Sequence, residues 1–129
     1  MRILLDTHAF LWIAGDWKRI KSSARRVLEN PETLLYLSAA SIWEISIKAA
    51  LGRLMLPATP SVYVPRRIAD FQIAVIDVTA AHALEICSLP PHHADPFDRM
   101  LVAQSRLEVL TVATRDRIFP RYGVTVLAI

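Results

Sequence analysis

The sequence predicts an α/β fold: a three-layer α/β/α sandwich around a central, mostly parallel sheet of about four to five strands. Two observations predict it. Short apolar runs rich in β-type residues alternate along the chain with segments whose apolar residues recur at helical spacing. In addition, 129 residues with 53% apolar content and no internal repeat suffice to close one core, so residues 1–129 read as a single domain. Alternating strands and helices imply right-handed crossovers between parallel strands.

Met1 to Leu5 reads as the first strand, ending at Asp6, and Thr7 to Ala14 as the helix that follows, stopping near Gly15. Lys21 to Asn30 is a second helix, closed by Pro31. Leu34 to Leu37 is an unbroken apolar run and hence a buried strand. A long helix follows to about Leu54, opened either by Ser41, which with Glu44 forms an S-x-x-E capping box, or by Ser38. In the second case Glu44 lies in the second turn among apolar neighbours, where a carboxylate needs a partner.

Three prolines between Pro57 and Pro65 predict a loop, a candidate flap, ahead of a helix through Arg66, Arg67 and Asp70. Ile73 to Val78 reads as a strand and Thr79 to Ser88 as a helix. Asp95 then caps a helix reaching about Leu107, with Pro96 at its first position and Asp98 in its first turn. Val109 to Ala113 is a strand ending in Thr114-Arg115-Asp116, and Val124 to Ile129 is the last strand.

Composition excludes several classes. Apolar stretches such as Thr33 to Trp43 are broken by Ser and fall short of the roughly 20 residues that span a bilayer. Asp6 interrupts the amino-terminal apolar run, which argues against a secretory signal, and the lone Cys87 allows no internal disulfide. A cytoplasmic protein is expected. Cys87 falls in the apolar pattern Ala83-Leu84-Ile86-Cys87 and reads as a buried small hydrophobe. His92 and His93 are adjacent in a proline-flanked loop and read as surface residues. The net charge of +3 suits a polyanionic partner. Of 15 basic residues only Lys18, Lys21 and Lys48 are lysines, and arginine's planar fork grips phosphate and carboxylate well.

The acids carry the functional signal. Asp6, Asp95, Asp98 and Asp116 fall just after a strand or at a helix start, and Glu44 lies one to two turns into the helix after the second strand. In a parallel sheet the strand carboxyl ends share one edge, where ligands bind. Each acid also has an ordinary use as a helix cap. Four or five carboxylates meeting there repel one another unless something positive sits among them, and a divalent cation answers that need. Oxygen ligands without Cys or spaced His disfavour Zn²⁺ and point to Mg²⁺ or Mn²⁺. Such an ion activates water and binds phosphate oxygens, so hydrolysis of nucleic acid is the leading chemistry. Asp77 has no such company and stays outside the set.

The ordered combination of Asp6-Thr7, Glu44 after Ser38 and Ser41, Asp95-Pro96-Phe97-Asp98-Arg99, and Thr114-Arg115-Asp116 resembles the acidic set of PIN-domain ribonucleases, above all VapC-type toxins of toxin–antitoxin pairs. The resemblance runs from Asp6 to Asp116. It implies a PIN-like fold, an Mg²⁺- or Mn²⁺-dependent endoribonuclease, a homodimer or a larger toxin–antitoxin assembly, and a cognate antitoxin. It implies that Asp6, Asp98 and Asp116 are metal ligands and that Glu44 holds the metal or its water, or acts as base. Asp95 is either a further ligand or the helix cap. Thr7 and Thr114 would support the site, and Arg99, Arg115 and Arg117 would meet RNA phosphate or pair with the acids. Phe10, Trp12, Ile13 and Trp17 cluster near the first helix and offer an apolar groove for an amphipathic partner helix.

Two rival readings are a receiver-type signalling domain with an acidic Mg²⁺ site and a PIN-like module that binds without catalysis. A receiver carries paired acids after its first strand and a late lysine. This chain has Asp6 alone there and no lysine beyond Lys48.

Overall fold

A computed structural model describes residues 1–129. Five strands form one sheet: β1 (Arg2–Leu5), β2 (Leu34–Ser38), β3 (Ala74–Ile76), β4 (Thr111–Thr114) and β5 (Val126–Ala128). Six helices flank it: α1 (Thr7–Gly15), α2 (Ser22–Leu28), α3 (Ala39–Ala50), α4 (Pro60–Asp70), α5 (Ala80–Glu85) and α6 (Pro96–Glu108). The strand order is β3-β2-β1-β4-β5, and every pairing is parallel. No helix is long and apolar enough to cross a membrane.

Alternation along the strands divides the core into two layers. Ile3 and Leu5 of β1 pack with Phe10, Ile13, Leu37, Ile45, Val64 and Ala113 on one face. Leu4 and Val112 point the other way and join Leu101, Val102, Leu110, Phe119 and Tyr122. Each such leucine or phenylalanine contributes about 1.5–3 kcal/mol by leaving water. Both faces of the central strand are therefore covered, as an unbroken apolar run requires.

The chain begins in the middle of the sheet. It steps outward through β2 and β3, then returns to the other side of β1 for β4 and β5. Between β1 and β4 the connections diverge, and a crevice opens beyond their carboxyl ends.

Several expected boundaries shift. The proline-rich segment is not an open loop as far as Pro65: α4 starts at Pro60 and carries Pro65 inside it. Pro60 occupies the first turn, where its missing N–H removes no bond, and buried Val64 ties the helix to the core before Pro65. The helix after β2 ends at Ala50 rather than Leu54, with Gly52 in the left-handed region. Val109 is no strand residue. It ends α6 with φ 54° and is 81% exposed. Cys87 is exposed, not buried. After α5 the chain tightens into a 3₁₀ turn over Ile86–Ser88, so the 3.6-residue spacing that would bury Cys87 no longer applies.

Candidate active site

Asp6 follows the central strand directly, and its amide donates to the Ala113 carbonyl of β4 at 3.1 Å. Its carboxylate caps α1 by accepting the Ala9 N–H at 2.7 Å and also feels the Thr114 hydroxyl of the neighbouring strand. On the neighbouring strand β4 ends at Thr114, whose hydroxyl accepts the Asp116 N–H at 3.0 Å. Asp116 in turn accepts the Ile118 N–H at 2.8 Å, so the loop after β4 folds around its own acid.

Ser38, not Ser41, caps α3, accepting the Ala40 N–H at 3.0 Å. Of the two openings the sequence allows, the capping box at Ser41 is absent because β2 runs straight into the helix at Ala39. The Ser41 hydroxyl is buried without a hydrogen-bond partner. Glu44 consequently sits in the second turn, 5% exposed. The partner such a burial demands is present twice: the Thr7 hydroxyl donates at 2.6 Å and the Lys48 ammonium at 2.5 Å. Asp95 accepts the N–H groups of Phe97 and Asp98 through a single oxygen, at 2.7 and 3.3 Å, as a helix cap.

These elements bring Asp6, Glu44, Asp95, Asp98 and Asp116 to one cleft of about 400 Å³, together with Thr7, His8, Lys48 and Arg115 and with no hydrophobic side chain. The electrostatics are those of an under-neutralised anionic pocket. Burial pushes Asp98 up to about 7, helped by the charges of Asp95, Glu44 and Asp6 and opposed by His93. Burial also raises Asp6, against the pull of the Thr114 hydroxyl, the Ala9 amide and His8. Partial burial disfavours the Asp116 charge too, but hydrogen bonds from His93 and the Ile118 amide outweigh it and leave that carboxyl below the usual range.

His93 is the principal residue that sequence reasoning missed. Far from facing solvent as expected, its side chain is 7% exposed, stacked on Tyr122 and edge-on to Phe119. Its Nε2 lies 2.7 Å from Asp116 Oδ2 and its Nδ1 lies 3.0 Å from the Tyr122 hydroxyl, which also accepts the His93 backbone N–H at 2.7 Å. At 2.7 Å from a carboxylate, Nε2 must carry a proton. The only local signal was its place two residues before Asp95. Lys48 was also missed, although its spacing of four from Glu44 is readable as a helical ion pair.

The arginines separate. Arg99 turns away from the cleft and donates to the carbonyls of Ile86, Leu89 and Pro90. Arg115 lines the cleft, whereas Arg117 lines an adjoining one. The donor set fits a hard divalent cation: it consists of carboxylate oxygens without thiolate, and Asp95 keeps one oxygen free of the hydrogen bonds described above. One atom each from His93, Asp98 and Asp116 lie within 4.8 Å of one another, a spacing that can surround an ion. Since His93 Nε2 carries a proton toward Asp116, the carboxylates are the available donors.

The family model for the PIN domain matches residues 3–124. The chain belongs to the PIN-domain family. All of Asp6, Glu44, Asp95, Asp98 and Asp116 fall inside the matched span, and the receiver-type reading is set aside. This PIN domain is 26% identical over 116 residues to Ribonuclease VapC22 of Mycobacterium tuberculosis, covering 89% of this chain and 87% of the relative. Among solved structures, it resembles a chain of VapBC2 from Rickettsia felis bound to a promoter DNA fragment, with a TM-score of 0.72 and 13% identity over 99% of this chain and 98% of that one. DNA-bound VapBC from Salmonella typhimurium is similar, with a TM-score of 0.69 and 17% identity over 99% and 98% of the two chains.

Proposed function

We propose that this PIN domain is a metal-dependent endoribonuclease, the VapC-type toxin of a toxin–antitoxin pair, which hydrolyses RNA phosphodiester bonds. One observation carries the reading. Five carboxylates converge at the switch point of a parallel sheet, where burial, reinforced by the charges of Asp95, Glu44 and Asp6, pushes Asp98 up to about 7, with two full cations, Lys48 and Arg115, lining the same cleft. Likeness to a ribonuclease over most of both chains supports the choice of RNA.

Asp6, Asp98 and Asp116 would hold Mg²⁺ or Mn²⁺, with Glu44 holding the ion or its water or acting as base. When bound, the ion supplies an activated water and a charge on the phosphate oxygens. Thr7 and Lys48 fix the Glu44 carboxylate, so its two oxygens keep one orientation in the cleft. Thr114 orients both Asp6 and the Asp116 loop. Asp95 caps α6 and acts on Asp98 through its charge. Arg115 offers a guanidinium at the rim to an entering phosphate.

The partner in this reading is a cognate antitoxin. A cleft of about 520 Å³ beside α1, lined by Ile13, Ala14, Trp17, Leu28, Leu35 and Phe71 with Arg67, suits an amphipathic segment. Trp17 lines this groove with Ile13, while Phe10 is wholly buried and Trp12 lines a different cleft. The deciding experiment is cleavage of total RNA by purified, antitoxin-free protein with Mg²⁺ or Mn²⁺, with EDTA, and with Asp98→Asn alongside. Discrete fragments should appear only with metal and the intact acid. Equal cleavage by Asp98→Asn would remove the site assignment. Expression alone should arrest growth and the neighbouring gene's product should relieve it, whereas harmless expression of active nuclease would refute the toxin role.

A further inference from the structure

A second cleft, of about 450 Å³, adjoins the acid pocket and inverts its charge: Arg19, Lys21, Arg115 and Arg117 line it around Trp12, above the end of β5. No carboxylate side chain lines it. Arg115 belongs to both clefts, so the basic one leads into the acidic one. The guanidiniums of Arg19 and Arg115 lie 5.6 and 5.2 Å from the Trp12 ring. An aromatic face holds a guanidinium without consuming its N–H donors, as a carboxylate would. Lys21, Arg115 and Arg117 make no side-chain hydrogen bond or ion pair within the protein, and Arg19 pairs only with Asp16 at the surface. Like charges gathered in one concavity repel each other and favour a bound polyanion.

We propose that this basic cleft seats the sugar–phosphate backbone of single-stranded RNA on one side of the bond to be cut. Arg115 takes the phosphate next to the acid pocket, and Arg19, Lys21 and Arg117 take those further along. The assignment rests on the nuclease reading and adds the path of the strand. Trp12 is only 9% exposed, so it positions arginines rather than stacking on bases, and the cleft grips backbone without reading sequence. RNA is favoured over an acidic peptide because the cleft opens into five carboxylates, which repel a peptide's acids but accept a phosphate with its counter-cation.

The test uses Asp98→Asn protein, which leaves RNA uncut, and a fluorescent 12-nucleotide RNA read by anisotropy. Adding Arg19→Ala, Lys21→Ala and Arg117→Ala should weaken binding at least tenfold. The slope of log affinity against log salt should become shallower by about 2, from three cations at about 0.7 each. Unchanged affinity and slope would overturn the proposal, and loss of antitoxin capture with RNA binding unchanged would assign the cleft to a peptide. If the triple variant melts early, Lys21→Glu alone should show the same direction of change, and its failure to do so has the same meaning. Wild-type cleavage of the same RNA with Mn²⁺ separates the two readings. Cleavage without cleft dependence removes the groove alone, cleft-dependent binding without cleavage removes the nuclease alone, and neither binding nor cleavage removes both.

Discussion

Tyr122 governs what His93 can do. Its oxygen accepts the His93 backbone N–H at 2.7 Å and lies 3.0 Å from Nδ1, while Nε2 faces Asp116 at 2.7 Å. The chain of bonds therefore holds the Asp116 carboxylate in one rotamer. Tyr122→Phe keeps the ring stacking but removes the hydroxyl that holds the His93 ring and backbone. Mn²⁺ affinity measured by calorimetry should fall about tenfold in this variant, with little change in melting temperature; wild-type affinity would mean that His93 holds nothing in place. Asp98 makes a separate prediction. Its carboxyl, raised by burial to about 7, stays protonated in the folded protein over a range where the unfolded chain, at 3.8, has ionised. The folded state then binds more protons, so metal-free stability should fall as pH rises from about 4 to 7. Melting curves in EDTA should show that decline, and Asp98→Asn should flatten it in part, since Asp6 is raised too. An identical slope in the variant would show that Asp98 is not the titrating group. The acids themselves were legible because each follows a strand or opens a helix, positions fixed by chain order. His93 was not, because its role depends on Tyr122, 29 residues away, and on a ring stack that no local pattern encodes.

Secondary structure was legible where the apolar period was long and illegible where a single backbone angle decided the boundary. β1, α1 and β2 follow their patterns to within a residue or so. Val109 looked like a strand residue, yet α6 needs a left-handed residue to close its last turn and Val109 takes that place, its N–H bonding to the Ser105 carbonyl. A β-branched side chain is strained there. Because it is also exposed, Val109→Gly should stabilise the protein by about 1 kcal/mol, read by urea unfolding; destabilisation would imply that the valine is covered in solution. α4 misled in the opposite sense. Three prolines argued for a loop, but buried Val64 and the Arg67–Asp70 ion pair sustain a helix through Pro65.

At the scale of the molecule, α3 exposes Trp43, Ile47 and Leu51 at spacings of four, with Trp43 edge-on to Phe97 at 5.3 Å. In a homodimer of the kind the family resemblance implies, that stripe would be the seat of the contact. Ile47→Glu should convert dimer to monomer in light scattering, with the helical signal retained; a persistent dimer would place the contact elsewhere. The sheet order carries a different consequence. Asp6 and Asp116 stand just beyond the ends of adjacent strands yet are 110 residues apart along the chain, with Glu44 and Asp98 between them. No contiguous fragment shorter than that span holds all four acids. As the chain is synthesised, the pocket cannot exist until β4 has slid in beside β1. Until Asp116 has been made, the ribosome producing the chain carries an incomplete set of acids and an unassembled pocket.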